Sequence, residues 1–136
     1  MGKKLELNPG ETVLVDTRRS TLQGKKVKFP VYTRCILTDR RFIYFHLGRM
    51  APLYLQLGFL LQLLFKGNPV YLPLEGLKVS RGKYARNTKL LELKGIDGSE
   101  VLLNGFEKSL EWFRYSLMSN GIGLNQTGEE TWQIEI

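Results

Sequence analysis

The sequence predicts a mainly β, α+β fold. Its plan is an antiparallel β-barrel of about seven strands, a C-terminal capping helix and an inserted apolar helix after the third strand. Three observations predict it. Short runs of period-two alternation, bounded by turn residues, recur between residues 11 and 103. An amphipathic helical stripe follows them at 106–119. Between the third and fourth strands, Met50 to Phe65 (MAPLYLQLGFLLQLLF) carries no charged side chain.

Asn8-Pro9-Gly10 makes a turn before the β-branched run Glu11 to Asp16. From Lys25 to Leu37 the pattern alternates. Val27, Phe29, Val31, Thr33, Cys35 and Leu37 take one face, and Lys26, Lys28, Pro30, Tyr32 and Arg34 take the other, with Ile36 the aliphatic exception. Pro30 cannot donate to a ladder, so an edge or a bulge is expected there. Thr38 to Arg41 turns the chain, and Phe42 to Leu47 returns as the partner strand. Met50–Phe65 is leucine-rich, with Pro52 near its first turn, so a helix is expected. It is shorter than the ~20 residues a bilayer span needs. Strands resume at Val70–Leu74, Leu77–Arg81, Leu90–Lys94 and Glu100–Leu103, the last pair around an Asp97-Gly98 turn. Asn104 and Glu107 read as a capping pair for a helix over 106–119, and Asn120-Gly121 as its C-terminal stop. Trp132, Ile134 and Ile136 alternate in the tail, which is expected to stay loose or to add an edge strand, here or in another copy of the chain. One domain over 1–121, with the insertion at about 50–66, and a tail over 122–136 follow from this order.

Composition narrows the function. The single cysteine, Cys35, permits no internal disulfide, and with the single histidine, His46, it leaves no Cys/His zinc cluster. No nucleophile–base–orienter set is visible, so a non-enzymatic protein without a cofactor or metal is expected. The formal charge of +7 is uneven: residues 1–49 carry +7, residues 50–103 carry +3, and residues 104–136 carry −3. A basic face draws anionic lipid, nucleic acid or acidic protein. No export signal is read at the N-terminus, and the thiol is unpaired. A cytoplasmic place, peripheral at the membrane, is therefore expected.

Leu37-Thr38-Asp39-Arg40-Arg41-Phe42-Ile43-Tyr44-Phe45 resembles the hairpin of GRAM and bacterial pleckstrin-homology-like (PH-like) domains. Gly10-Glu11 before a strand, the strand Val70 to Leu77 and a terminal helix containing Trp112 are similar to the same family. The resemblance spans residues 5–120 and departs at the apolar insertion, where a short loop would stand. It implies a PH-like barrel that binds phosphoinositides or proteins. It also implies that the turn between the first two strands holds headgroup phosphates.

Two sites are expected on these grounds. Arg18, Arg19, Lys25, Lys26 and Lys28 form a basic cluster for an anionic ligand, with Lys26 and Lys28 sharing a strand face. Tyr54, Leu55, Phe59 and Phe65 lie off the Leu57/Leu60/Leu61/Leu64 stripe of the inserted helix and are expected to meet another copy or lipid. The expected role is a cytoplasmic adaptor that binds protein or an anionic membrane surface and forms homo-oligomers. The alternative is a single-stranded nucleic-acid-binding β-barrel; Tyr32 is the one aromatic on the basic face of the second strand, which gives stacking little support.

Overall fold

The computed structural model describes residues 5–23, 30–47, 67–84 and 86–135. Among them run β1(Val13–Leu22), β2(Val31–Thr38), β3(Arg41–His46), β4(Asn68–Pro73), β5(Lys78–Tyr84), β6(Asn87–Lys94), β7(Glu100–Asn104), α1(Phe106–Met118), β8(Gly123–Gly128) and β9(Thr131–Glu135). All pairings are antiparallel, and the strand order is β4-β3-β2-β1-β7-β6-β5-β9-β8.

This order corrects the predicted PH-like barrel of about seven strands. The nine strands form one open sheet, with β4 and β8 as its edges. The physical reason lies in the tail. A strand has two hydrogen-bonding edges, and closure would need the second edge of β5 to meet β4. That edge is instead taken by β9, through Lys78↔Gln133, Val79↔Trp132 and Ser80↔Thr131. On the other side β4 carries Pro69 and Pro73, which cannot donate to a further strand. The tail thus builds two strands of the sheet. The predicted inserted helix at 50–66 lies outside the described residues, as do Val27 and Phe29.

The open sheet still curls. Tyr44 of β3 donates its hydroxyl to the carbonyl of Glu100 in β7 at 3.2 Å, although β2 and β1 lie between these strands. Neighbouring strands are spaced ~4.8 Å apart, so a planar sheet would hold the two well beyond a tyrosine's reach. The concave face carries one core: Cys35, Leu37, Phe42, Leu72, Leu77, Val79, Leu91, Leu93 and Leu103 from the strands, with Phe106, Leu110, Phe113 and Leu117 from α1. Phe42 meets Phe113 and Trp112 edge-on, at 6.2 and 6.3 Å.

The alternation read in β2 holds on its concave face, where Val31, Thr33, Cys35 and Leu37 are buried. Pro30 precedes β2, which is flanked on both sides, so the expected edge position is corrected. Ile36 is fully buried on the convex face, in a second cluster with Ile43 and Phe45 against which Leu5 and Tyr71 pack.

The N-terminus of α1 also differs from the expected capping pair. Asn104 is still paired in β7, opposite Leu90, and its amide reaches Ser20 at 3.5 Å. Gly105, at φ +78, is the residue before the helix and lends it no side-chain cap. At the other end the Gly121 and Ile122 amides donate back to Met118 and Leu117, as the Asn120-Gly121 reading expected.

Candidate functional site

Strands β1 and β3 run in the same direction on either side of β2, so both finish at one end of the sheet. Gln23, just beyond β1, fastens that end. Its amide nitrogen donates to the Phe45 carbonyl at 2.9 Å and to Thr21 Oγ1 at 3.1 Å. Its side-chain oxygen accepts the Leu47 amide at 2.9 Å, and its own carbonyl lies 3.1 Å from His46 Nε2. Gln23 is buried, so each of these bonds removes a desolvation cost of ~1–3 kcal/mol that an unpaired group would carry. Thr21 and Thr33 continue the network beneath it, 3.3 Å apart. Gly67 closes the same end from β4. At φ +82, a Cβ there would stand 2.7 Å from the His46 carbonyl oxygen, and only glycine fits.

Four chain positions therefore meet at this end: Gln23 and Leu47, where the chain leaves the described residues, and Pro30 and Gly67, where it re-enters. Lys25, Lys26 and Lys28 belong to the segment between the first departure and return. Tyr54, Leu55, Phe59 and Phe65 belong to the segment between the second pair. All seven lie outside the described residues.

The two arginines of the expected basic cluster are not brought together. Arg18 is exposed on the convex face, level with Arg34, whose guanidinium forms a two-point bond to Asp16 at 2.6 and 2.9 Å. Arg19 projects to the concave side, its guanidinium 4.6 Å from the centre of the Trp112 ring. Adjacent residues in a strand face opposite ways, which is why this pair divides. Among the described residues Arg19 forms no ion pair, and its Nε is buried without a hydrogen-bond partner. Burial lowers its pKa from the usual arginine value.

Arg19 opens onto a concavity of about 940 Å³ along α1, lined also by Lys108, Glu111, Trp112, Arg114, Tyr115, Met118 and Ser119. Tyr115 is 76% exposed and Met118 61%, although both are large apolar side chains. Sequence reading missed this groove. Its one signal was the placement of Tyr115 and Met118 off the Phe106/Leu110/Phe113/Leu117 stripe. A second concavity, of about 430 Å³, adjoins the start of α1 between Arg81, Lys89, Phe106 and Lys108. There Arg81 is already engaged, pairing with Glu130 and stacking 4.2 Å over Phe106.

Other ionisable groups hold the fold. Arg41 clamps Glu11 through two hydrogen bonds, at 2.6 and 2.9 Å, and the Glu11 side chain has no exposed surface. Those bonds, helped by Thr38 and the Asn8 amide, hold the Glu11 carboxyl at about 2 against the opposing effect of burial. Burial pushes the Cys35 thiol up to about 12, where it is no nucleophile. Among the described residues no three His, Cys, Asp or Glu side chains are grouped to hold a metal, and no helix is long and apolar enough to cross a membrane. In comparisons with family models, curated proteins and solved structures, nothing matches this chain.

Proposed function

We propose that the protein is a non-catalytic binding module that docks peripherally on an anionic membrane surface through the end of the sheet fastened by Gln23. One observation carries the reading. The Gln23 bonds to Phe45 and Leu47 join the two places where the chain departs toward Lys25, Lys26 and Lys28 and toward Met50–Phe65. Basic groups and apolar side chains are complementary membrane signals. Lysines near an anionic surface contribute ~1 kcal/mol each, and apolar side chains contribute by leaving water. A single weak anchor gives marginal, reversible binding, whereas two signals together hold.

Flotation with liposomes tests the proposal. The protein is expected to float with phosphatidylcholine vesicles containing phosphatidylserine and to stay behind with phosphatidylcholine alone. Replacing Lys25, Lys26 and Lys28 together by Gln is expected to lower affinity roughly a hundredfold. Absence of binding by the unaltered chain, or equal binding by the triple variant, would overturn it.

A further inference from the structure

The groove along α1 shares no lining residue with the Gln23 network and has its own chemistry. Three cations line it (Arg19, Lys108 and Arg114) against one carboxylate, Glu111. None of the three forms an ion pair among the described residues, where the ion pairs are Arg34–Asp16, Arg41–Glu11 and Arg81–Glu130. Arg19 is the focus of this charge. Stacked on Trp112 and with its Nε buried and unbonded, it is a partly desolvated guanidinium. With Nε buried, a carboxylate would meet this guanidinium at its terminal nitrogens, through a charge-assisted bond. Around it Trp112, Tyr115 and Met118 present apolar surface, with Tyr115 and Met118 largely exposed. An aromatic and a methionine beside a cation form an adaptable surface for apolar side chains.

We propose that this groove binds a short acidic peptide segment of a protein partner, with a carboxylate on Arg19 and apolar side chains against Trp112, Tyr115 and Met118. Charge complementarity selects this occupant. The three cations are separated by Glu111 and apolar side chains, which suits separate carboxylates interleaved with apolar residues. A nucleic-acid strand asks for cations tracking a continuous phosphate backbone.

The test uses a fluorescein-labelled, amidated peptide of alternating glutamate and leucine, titrated with the full-length protein and read by anisotropy. Saturable binding is expected, with none for the corresponding lysine–leucine peptide. Arg19→Gln should weaken binding tenfold or more, Arg19→Lys should restore part of it, and Tyr115→Glu should weaken it comparably. Tyr115 is exposed, so that variant keeps the fold even if Arg19→Gln does not. The proposal is overturned by three outcomes. One is no saturable binding, or equal binding by Tyr115→Glu. Another is displacement of the peptide by an oligothymidine that binds more tightly. The third is a lipid-free dimer that Tyr115→Glu dissociates, which would put a second copy in the groove. No vesicle enters the measurement, so its failure leaves the membrane proposal untouched.

Discussion

Glu11 and Arg41 show how much one ionic contact contributes to this fold. The carboxylate is fully buried and its partner nearly so, a geometry in which removing one charge strands the other. A carboxyl whose pKa falls on folding stabilises the folded state above its unfolded value of 4.5, and that stability disappears as pH drops toward about 2. The contribution is on the order of 3 kcal/mol at neutral pH. Glu11→Gln is therefore expected to lower unfolding stability by about 3 kcal/mol at pH 7, measured by urea titration. The deficit should shrink between about pH 4.5 and 2. A deficit that stays constant with pH would show that the pair does not carry the effect. Cys35 supports a second residue-scale expectation: fully buried, with its thiol pushed to about 12, it should resist a thiol reagent at pH 8 until the protein unfolds. Labelling at the rate of a free thiol would contradict this. At this scale the sequence was informative where one rule acted alone. Period two placed Val31, Cys35 and Leu37 inward. The same rule, applied to Arg18 and Arg19, would have separated them, whereas proximity in sequence grouped them.

The elements were legible to the extent that their side chains alternate. β3 to β7 and the helix stand close to where turns and periodicity put them, whereas β1 runs past its expected end at Asp16 to Leu22 and takes Arg18 and Arg19 into the strand. A further exception is β8(Gly123–Gly128), whose residues Gly, Leu, Asn, Gln and Thr carry almost no apolar signal. It exists because β9 offers it a ladder, and β9 exists because Trp132 and Ile134 are buried against the core and Trp132 lies 6.0 Å from Phe106. Ending the chain after Gly121 is thus expected to uncover that core and the edge of β5, giving an aggregating or much less stable protein by thermal melting and light scattering. A truncated chain that melts like the full one would mean the tail is dispensable. Within α1, Phe113→Ala should cost about 3–5 kcal/mol, since the ring is fully buried and packs edge-on against Phe42.

For the whole molecule, the open sheet was hidden from local reading because closure is not a local property. Whether β4 meets β5 depends on which strand reaches the edge of β5 first, and β9 comes from more than forty residues downstream. The residues of the two expected sites were named from charge and hydropathy alone. What joins Gln23 and Leu47, the points where the chain leaves the described residues, is a buried glutamine side chain whose partners are mostly backbone groups, and such partners leave no mark in a sequence. If the second face of the apolar segment meets another copy when no lipid is present, the protein should sediment as an oligomer. Replacing Leu55 and Phe59 by Glu should then give a folded, smaller species. A soluble monomer at high concentration would refute that.

The most direct measurement of membrane docking places an environment-sensitive fluorophore at one end of the sheet or the other. In a Cys35→Ser background, single labels go to Phe59→Cys, between Leu47 and Gly67, and to Arg40→Cys, in the exposed β2–β3 turn at the opposite end of the same strands. Phosphatidylserine-containing vesicles are expected to shift the Phe59 label to the blue and to leave the Arg40 label unchanged. Salt should weaken the shift, as the screening length falls from ~10 Å at ~0.1 M to ~3 Å at ~1 M. A blue shift at Arg40 with none at Phe59, or no shift at either position, would contradict docking through the Gln23 end.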